Sequence, residues 1–289
     1  MKYGIYYAYW EQEWGGDVIP YIHRVKRLGF DILEVGCHNF IDVDDDYLRL
    51  VKQTAEEEGI MLTGGYGNDI HHNISSSDPA VVRASMEKFE GTFRKMYTAG
   101  IHKLGGSLYS YWPVDYSRPI DKPGDWKRAV RNMRELADIA KEYEITLGME
   151  VLNRFEGYLL NTCAEAVDYV SEVDRENVKV MLDTFHMNIE EDSFGDAVRL
   201  AGKLLGHVHV GEANRRPPSA KGRIPWAEIG VALNDIHYDG TVVMEPFVRP
   251  GGTVGNEIRI WRDLSEGAAN EQLDADAANA VRFLRGLWG

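Results

Sequence analysis

The sequence predicts an α/β fold, a single-domain (β/α)8 TIM barrel occupying residues 1–289. Three observations predict it. Short apolar runs rich in β-branched and aromatic residues recur along the chain, and longer segments with a 3.6-residue apolar period fill the intervals between them. No glycine-rich phosphate turn follows the first run, where Tyr7-Ala-Tyr-Trp-Glu-Gln-Glu-Trp14 stands instead. An open doubly wound sheet usually carries such a turn, so its absence favours closure. Each strand-helix-strand step lays down a parallel neighbour through a right-handed crossover, and eight in succession can close into a barrel.

In chain order the strands are expected at residues 3–8, 32–36, 60–65, 102–106, 145–151, 178–183, 205–210 and 241–246. The first of these runs extends through Trp10 and superficially resembles a signal peptide. It reads instead as a buried strand, because it is tyrosine-rich, is cut by Glu11 and Glu13, and lacks a small-residue cleavage site. Amphipathic helices are expected between and after the strands, at residues 17–28, 44–58, 78–99, 125–143, 163–172, 192–202, 226–236 and 274–287. Several begin at Asp or shortly after Ser or Pro, and Gly29, Gly59 and Gly100 stand between a helix and the next strand, which are N-cap and C-terminal stop signals. No low-complexity segment or linker divides the chain.

Composition narrows the function classes. With 44% hydrophobic and 27% charged residues the chain is a globular protein with a large core, which excludes disordered and collagen-like classes. Lys plus Arg number 32 against 46 Asp plus Glu, a net charge of -14, so nucleic acid and anionic membrane surfaces are repelled overall. No run approaches the roughly 18 apolar residues of a membrane span. The two cysteines, Cys37 and Cys163, are too few for a disulfide framework and are not spaced as a metal or redox pair, which makes a reducing cytoplasm the expected compartment.

The active site of such a barrel forms where strands end and loops begin. Four successive strands present a carboxylate or imidazole at that end: Glu150, Asp183, His209 and Glu245. Three buried carboxylates at one end of a barrel are very unfavourable unless a cation compensates them. Three oxygen donors and one nitrogen suit Mn, Co, Mg or Fe better than a closed cysteine zinc site. His207 lies on the same face as His209 but about 6.6 Å deeper, where a hydrogen-bonded core histidine is expected rather than a ligand. Loop residues beyond the ligands, Glu156, His186 and Arg215, are placed to reach a substrate, and aromatics at Tyr6, Trp14, Tyr66, Tyr109, Tyr111 and Trp112 could wall it with surfaces suited to the C–H faces of a sugar. Glu150 and Glu245 belong to strands that are not neighbours and would face each other across the metal. Two bases on opposite sides of one carbon form an epimerase layout, one removing a proton next to a polarised carbonyl and the other returning it to the opposite face.

At these residues the chain closely resembles the D-tagatose 3-epimerase family, and within it the D-psicose (D-allulose) 3-epimerase branch. The resemblance runs essentially end to end. It is carried by Gly4-Ile-Tyr-Tyr-Ala-Tyr-Trp-Glu-Gln-Glu-Trp14, Tyr109-Ser-Tyr-Trp-Pro-Val-Asp115 and Gly148-Met-Glu-Val-Leu-Asn-Arg-Phe-Glu156. Further along, it is carried by Val180-Met-Leu-Asp-Thr-Phe-His-Met-Asn-Ile-Glu190, Gly206-His-Val-His-Val-Gly-Glu212 with Asn214 and Arg215, and Val243-Met-Glu-Pro-Phe-Val248. The resemblance implies a metal-dependent ketose 3-epimerase acting on D-fructose and D-psicose through a cis-enediolate. Its Mn2+ or Co2+, or Mg2+, would be held by Glu150, Asp183, His209 and Glu245, with Glu150 and Glu245 as the acid-base pair. It further implies that Glu156, His186 and Arg215 hold the ketose near its first carbons, and that Tyr6, Trp14, Gly65, Ser107 and Trp112 form the wall around its far end. Ser107 departs from the branch, which more usually has a small apolar residue there. A homo-oligomer, dimer or tetramer, is implied as well.

Close alternatives are a D-tagatose 3-epimerase, another ketohexose or ketopentose epimerase, or a sugar isomerase of the same superfamily. An endonuclease acting on abasic DNA would need an expanded ligand set, and the -14 charge opposes it. A non-catalytic sugar-binding barrel would explain the acidity but not four ligand types at successive strand ends.

Overall fold

A computed structural model describes residues 1–289. Its eight parallel strands are β1 (Lys2–Tyr6), β2 (Ile32–Gly36), β3 (Met61–Tyr66), β4 (Lys103–Gly106), β5 (Thr146–Glu150), β6 (Val178–Asp183), β7 (Leu205–Val210) and β8 (Thr241–Met244). They pair in sequence order and close into a barrel, with Lys2 to Ile5 of β1 in register with Thr241 to Met244 of β8. Such strands are covered on both faces, by the barrel interior and by the helices, so they read as apolar runs rather than as an alternation.

The outer layer comprises α1 (Ile19–Leu28), α2 (Asp45–Glu58), α3 (Pro79–Thr98), α4 (Lys122–Glu142), α5 (Cys163–Val173), α6 (Thr184–Glu190), α7 (Phe194–Ala201), α8 (Trp226–Asp235), α9 (Gly252–Glu257) and α10 (Asn270–Trp288). The Asp start signals hold where the side chain caps the first turn: Asp44 accepts from the Asp46 and Tyr47 N–H groups, and Asp78 from that of Ala80. α1 and α2 stop at the left-handed residues Gly29 and Gly59, as expected. No helix is long and apolar enough to cross a membrane.

The structure departs from the expected elements at several points. Residues 7–9, expected to continue the first strand, form a 3-10 turn, because pairing with β2 ends at Tyr6 opposite Glu34 and the chain then folds Tyr7, Tyr9 and Trp10 into the core. Helix α4 begins before Asp125, at Lys122, because Asp121 provides the cap, accepting from the Gly124 N–H. The short helices α6 and α9 were not expected; α6 follows β6 with no intervening Gly or Pro, and Asp183 is both the last strand residue and the helix cap.

Packing on both faces of the sheet explains the glycines of β3, β4 and β5. The Met181 side chain fills the space beside Gly105 and Gly148, and a Cβ at Gly64 would collide with the Cys37 thiol and Leu104. Gly106 is the tightest point, because its φ of 135° is open to glycine and a Cβ there would overlap the Tyr66 carbonyl oxygen of the adjacent strand. Gly106→Ala should therefore cost at least about 2 kcal/mol through combined backbone strain and overlap. A denaturant midpoint unchanged from the parent protein would contradict this packing.

Candidate metal centre and active site

The residues expected at the strand ends converge. Asp183 and His209 are register partners on β6 and β7, Glu150 is the last residue of β5, and Glu245 follows β8 by one residue with its N–H donated to the Val210 carbonyl at 3.1 Å. Donor atoms of Glu150, Asp183, His209 and Glu245 all lie within 4.8 Å of one another, the scale of one ion's coordination sphere. His209 Nδ1 faces Glu150 Oε1 at 3.7 Å and Glu245 Oε1 at 3.6 Å, so the two glutamates flank one imidazole nitrogen. That nitrogen is buried without a hydrogen-bond partner.

The cause lies on the other side of the ring. His209 Nε2 is bonded to Glu34 Oε1 at 2.6 Å, and the same carboxylate contacts His207 Nε2 at 3.1 Å and accepts from the Thr63 hydroxyl at 2.8 Å. With Nε2–H donated to a carboxylate, a neutral His209 turns the Nδ1 lone pair toward the three acids, the second-layer arrangement common behind metal-ligating histidines. The donor set therefore fits a divalent cation. His207 stays out of this shell, as expected: its Nδ1 is 2.6 Å from the Thr241 hydroxyl, and burial lowers its pKa to about 4 despite the opposing Glu34 charge. Burial tends to raise the Glu34 pKa, but His209 and His207 outweigh it and hold the carboxyl below its usual range.

The surroundings move the pKa values of Glu150 and Asp183 in opposite directions. Glu150 is pushed well above the usual carboxyl range, first by burial and then by the neighbouring Glu245 and Asp183 charges, against the pull of His209. Asp183, though also buried, is lowered by His186, Arg215 and His209. Arg215 is the fixed cation here, with Nη1 at 2.8 Å from Glu245 Oε2 and 3.3 Å from Asp183 Oδ2. Its guanidinium lies 3.7 Å from the Phe185 ring centroid, and its backbone is left-handed, at a φ of 65°. A non-glycine residue in that conformation costs energy that surrounding contacts must offset.

A cavity of about 390 Å³ opens above the cluster, lined by Glu150, His209 and Glu245 together with every residue expected at the substrate: Tyr6, Trp14, Gly65, Ser107, Trp112, Glu156, His186 and Arg215. Asp183 is 1% exposed and lies behind this lining. The Trp112 indole N–H points to Glu156 Oε2 at 3.4 Å, and the Trp14 indole N–H donates to Glu257 Oε2 at 2.6 Å, which ties the loop after β1 to α9. Of the other aromatics read from the sequence, Tyr66 lines the cavity, whereas Tyr109 and Tyr111 are packed away from it; the Tyr109 hydroxyl supports β5 from behind by donating to the Glu150 carbonyl at 2.6 Å.

Sequence reasoning missed Glu34, Asn153, Phe185 and Phe247. Glu34 had a visible signal, a lone acid inside the apolar run Ile32-Leu-Glu-Val-Gly36. Asn153 bonds both His186 and Glu156, and Phe247 packs 6.1 Å from Tyr6, but an asparagine or a phenylalanine after a strand carries no distinguishing signal of its own.

Two outcomes test this centre. Glu34→Gln should weaken divalent-cation affinity by about 10- to 100-fold by loosening His209, and an unchanged titration would contradict the role given to Glu34. The raised Glu150 pKa means that this group favours the folded state fully at acid pH and that the advantage is lost as pH rises through the folded value. Cation binding needs the ionised acids and removes that loss. Mn2+ at one fixed concentration, about 100 times its Kd at pH 8, should raise the Tm by about 4–5 °C at pH 8 and by clearly less at pH 5, where the acids hold it more weakly. An equal rise at both pH values, or none, in calorimetry against chelated protein would sink the assignment.

Comparison with known proteins identifies the family. The model of the xylose isomerase-like TIM barrel family matches residues 22–278. The D-psicose 3-epimerase of Agrobacterium fabrum is 54% identical over 289 residues, the whole of both chains. That of Ruminiclostridium cellulolyticum is 53% identical over 285 residues, 99% of this chain and 97% of the relative. A crystal structure of a D-psicose 3-epimerase in the presence of D-fructose superposes with a TM-score of 0.98 at 54% identity, covering all of both chains. The Clostridium cellulolyticum H10 enzyme with D-tagatose gives 0.98 at 52%, covering 100% of this chain and 99% of the other. The chain belongs to the xylose isomerase-like TIM barrel family and, within it, to the D-psicose 3-epimerase branch of the ketose 3-epimerases, so it is an isomerase of the epimerase class.

Proposed function

We propose that the chain is a metal-dependent ketose 3-epimerase that interconverts D-fructose and D-psicose, with residues 1–289 acting as one catalytic domain. The observation that carries this reading is the pair Glu150 and Glu245, which flank His209 Nδ1 at 3.7 and 3.6 Å at the mouth of the cavity. Glu150, Asp183, His209 and Glu245 would hold a divalent cation, Mn2+ or Co2+ with Mg2+ as a third candidate, which would supply Lewis acidity and charge stabilisation next to the reacting carbon.

The protein's own groups perform the proton transfers. One glutamate takes the C3 proton and leaves a cis-enediolate; the other, on the opposite side of C3, returns a proton to the other face and inverts the centre. Glu156, His186 and Arg215 hold the oxygens of the first carbons. Tyr6, Trp14, Gly65, Ser107 and Trp112 enclose the rest of the sugar, the indole and phenol faces against its C–H surfaces and the Ser107 hydroxyl toward its outer hydroxyls. The reading is supported by relatives named D-psicose 3-epimerase at 53–54% identity and by sugar-containing structures of the same shape.

The ketose is the only partner this reading needs, with neither nucleic acid nor membrane. Phe155 and Trp261, 62% and 73% exposed in loops after β5 and β8, support a homo-oligomer, dimer or tetramer. The free, buried thiols of Cys37 and Cys163 accord with the cytoplasm.

Incubation of the metal-loaded protein with D-fructose in deuterated water should place deuterium at C3 of the product mixture, read by NMR. Glu150→Gln and Glu245→Gln should each lower epimerisation by roughly 10²- to 10⁴-fold, the range of a general base, while each retains C3 exchange in the opposite epimer. A metal-replete mutant at either position that epimerises near the parental rate rules out the two-base mechanism.

A further inference from the structure

Asn153 lies in the turn after β5 and is 1% exposed. Its backbone N–H points at His186 Nδ1 at 3.2 Å, and its side-chain Nδ2 lies 2.7 Å from the same nitrogen. The amide orientation is fixed on both sides: Oδ1 accepts the Phe155 N–H at 2.9 Å, and Nδ2 also donates to Glu156 Oε1 at 3.1 Å. A backbone N–H can only donate, so Nδ1 of His186 is an acceptor and the hydrogen of the neutral ring sits on Nε2. Nε2 faces Asp183 Oδ2 at 3.7 Å and Glu150 Oε1 at 3.9 Å, both beyond hydrogen-bond reach, and the ring lines the cavity. The donor is therefore aimed at the place where the carboxylates converge and is left without an acceptor of its own.

We propose that Asn153 is a positioning residue that locks His186 in the neutral Nε2–H tautomer, making it a permanent hydrogen-bond donor to an oxygen of the bound ketose. The identity of that oxygen's owner rests on the epimerase reading; the tautomer does not. The alternative role for Asn153, a turn former that only closes residues 153–157, would leave the His186 proton where it is when the amide is changed.

The test is 15N NMR of the full-length, Mg2+-loaded protein labelled at histidine, with His186 assigned by the signals lost in His186→Gln. The parent should show a protonated Nε2 and an unprotonated Nδ1. Asn153→Asp, which presents an acceptor in place of the Nδ2 donor, should move a proton to Nδ1 and lower kcat/KM for D-fructose by about 100-fold, the scale of one lost site donor. In a His186→Gln background the same substitution should cost no more than about threefold, since its target is gone. Asn153→Ala keeps only the longer backbone contact at 3.2 Å and should let a detectable fraction of the ring carry its proton on Nδ1; it serves as the second variant should Asn153→Asp not fold, and a proton wholly retained on Nε2 there would overturn the proposal. A parent ring protonated at Nδ1, an unshifted proton in a folded Asn153→Asp protein, or additive losses in the double mutant would each overturn the proposal. The expected spectra together with no ketose turnover would overturn the substrate reading alone.

Discussion

The bond between Glu34 and His209 is the constraint on which the rest of the site depends. It joins β2 to β7 through the barrel interior, so it exists only when the sheet has closed and both side chains point inward. It decides which imidazole nitrogen faces Glu150 and Glu245. It also explains the polar floor beneath it, because a buried carboxylate is tolerated only when its oxygens are satisfied. Thr63, His207 and His209 satisfy them, and His207 is held in turn by Thr241, whose hydroxyl accepts from the half-buried Lys103 ammonium at 2.7 Å. Removing any member would strand a polar group where water is scarce, so the floor behaves as one unit.

Above that floor the site concentrates negative charge and answers it in fixed geometry. Arg215 is enclosed by Phe185 and by the carboxylates of Glu245 and Asp183, and its left-handed backbone is tied by the Arg215 N–H to the Glu212 carbonyl at 2.8 Å and by the Phe247 N–H to the Arg215 carbonyl at 2.9 Å. The second of these bonds connects the loop after β7 to the segment after β8, which carries Glu245. The same environment pushes the Glu150 and Asp183 pKa values apart, the usual sign of carboxylates with different tasks in one site. Asp183, capping α6 from behind the lining, serves as an anchor, whereas Glu150 and Glu245 border the cavity.

Much of this was legible in the sequence, for identifiable reasons. Period and punctuation marked eight strands and the main helices, and the ligands were visible because strand ends are where a barrel places function. The parts that stayed hidden lacked a local signal. Helix α6 is capped by the residue that ends β6, so no turn residue announces it, and Tyr7 to Tyr9 are as apolar as the strand they follow. Glu34 looked like one acid in a strand because its partners are 173 and 175 residues away. Asn153 and Phe185 act only through what they touch. Closure brings those contacts together, and no spacing along the chain encodes them.

The arrangement separates chemistry from shape around the barrel axis. The ends of β5 to β8 carry all four candidate ligands, and the loops that follow them, with helix α6, carry Glu156, Arg215 and His186, while β1 to β4 supply Tyr6, Trp14, Gly65, Ser107 and Trp112 from their ends and loops. The glycines of β3 and β4 belong to this division, since small residues there leave room for Met181 and His207 below and for the cavity above. Substitutions among the early strands can reshape the far wall without replacing a ligand, because none of the four candidate ligands stands on β1 to β4. Glu34 is the exception on the early side, an acid on β2 that serves the chemistry of β7, and that is why it had to be buried, paired and out of sight of the cavity.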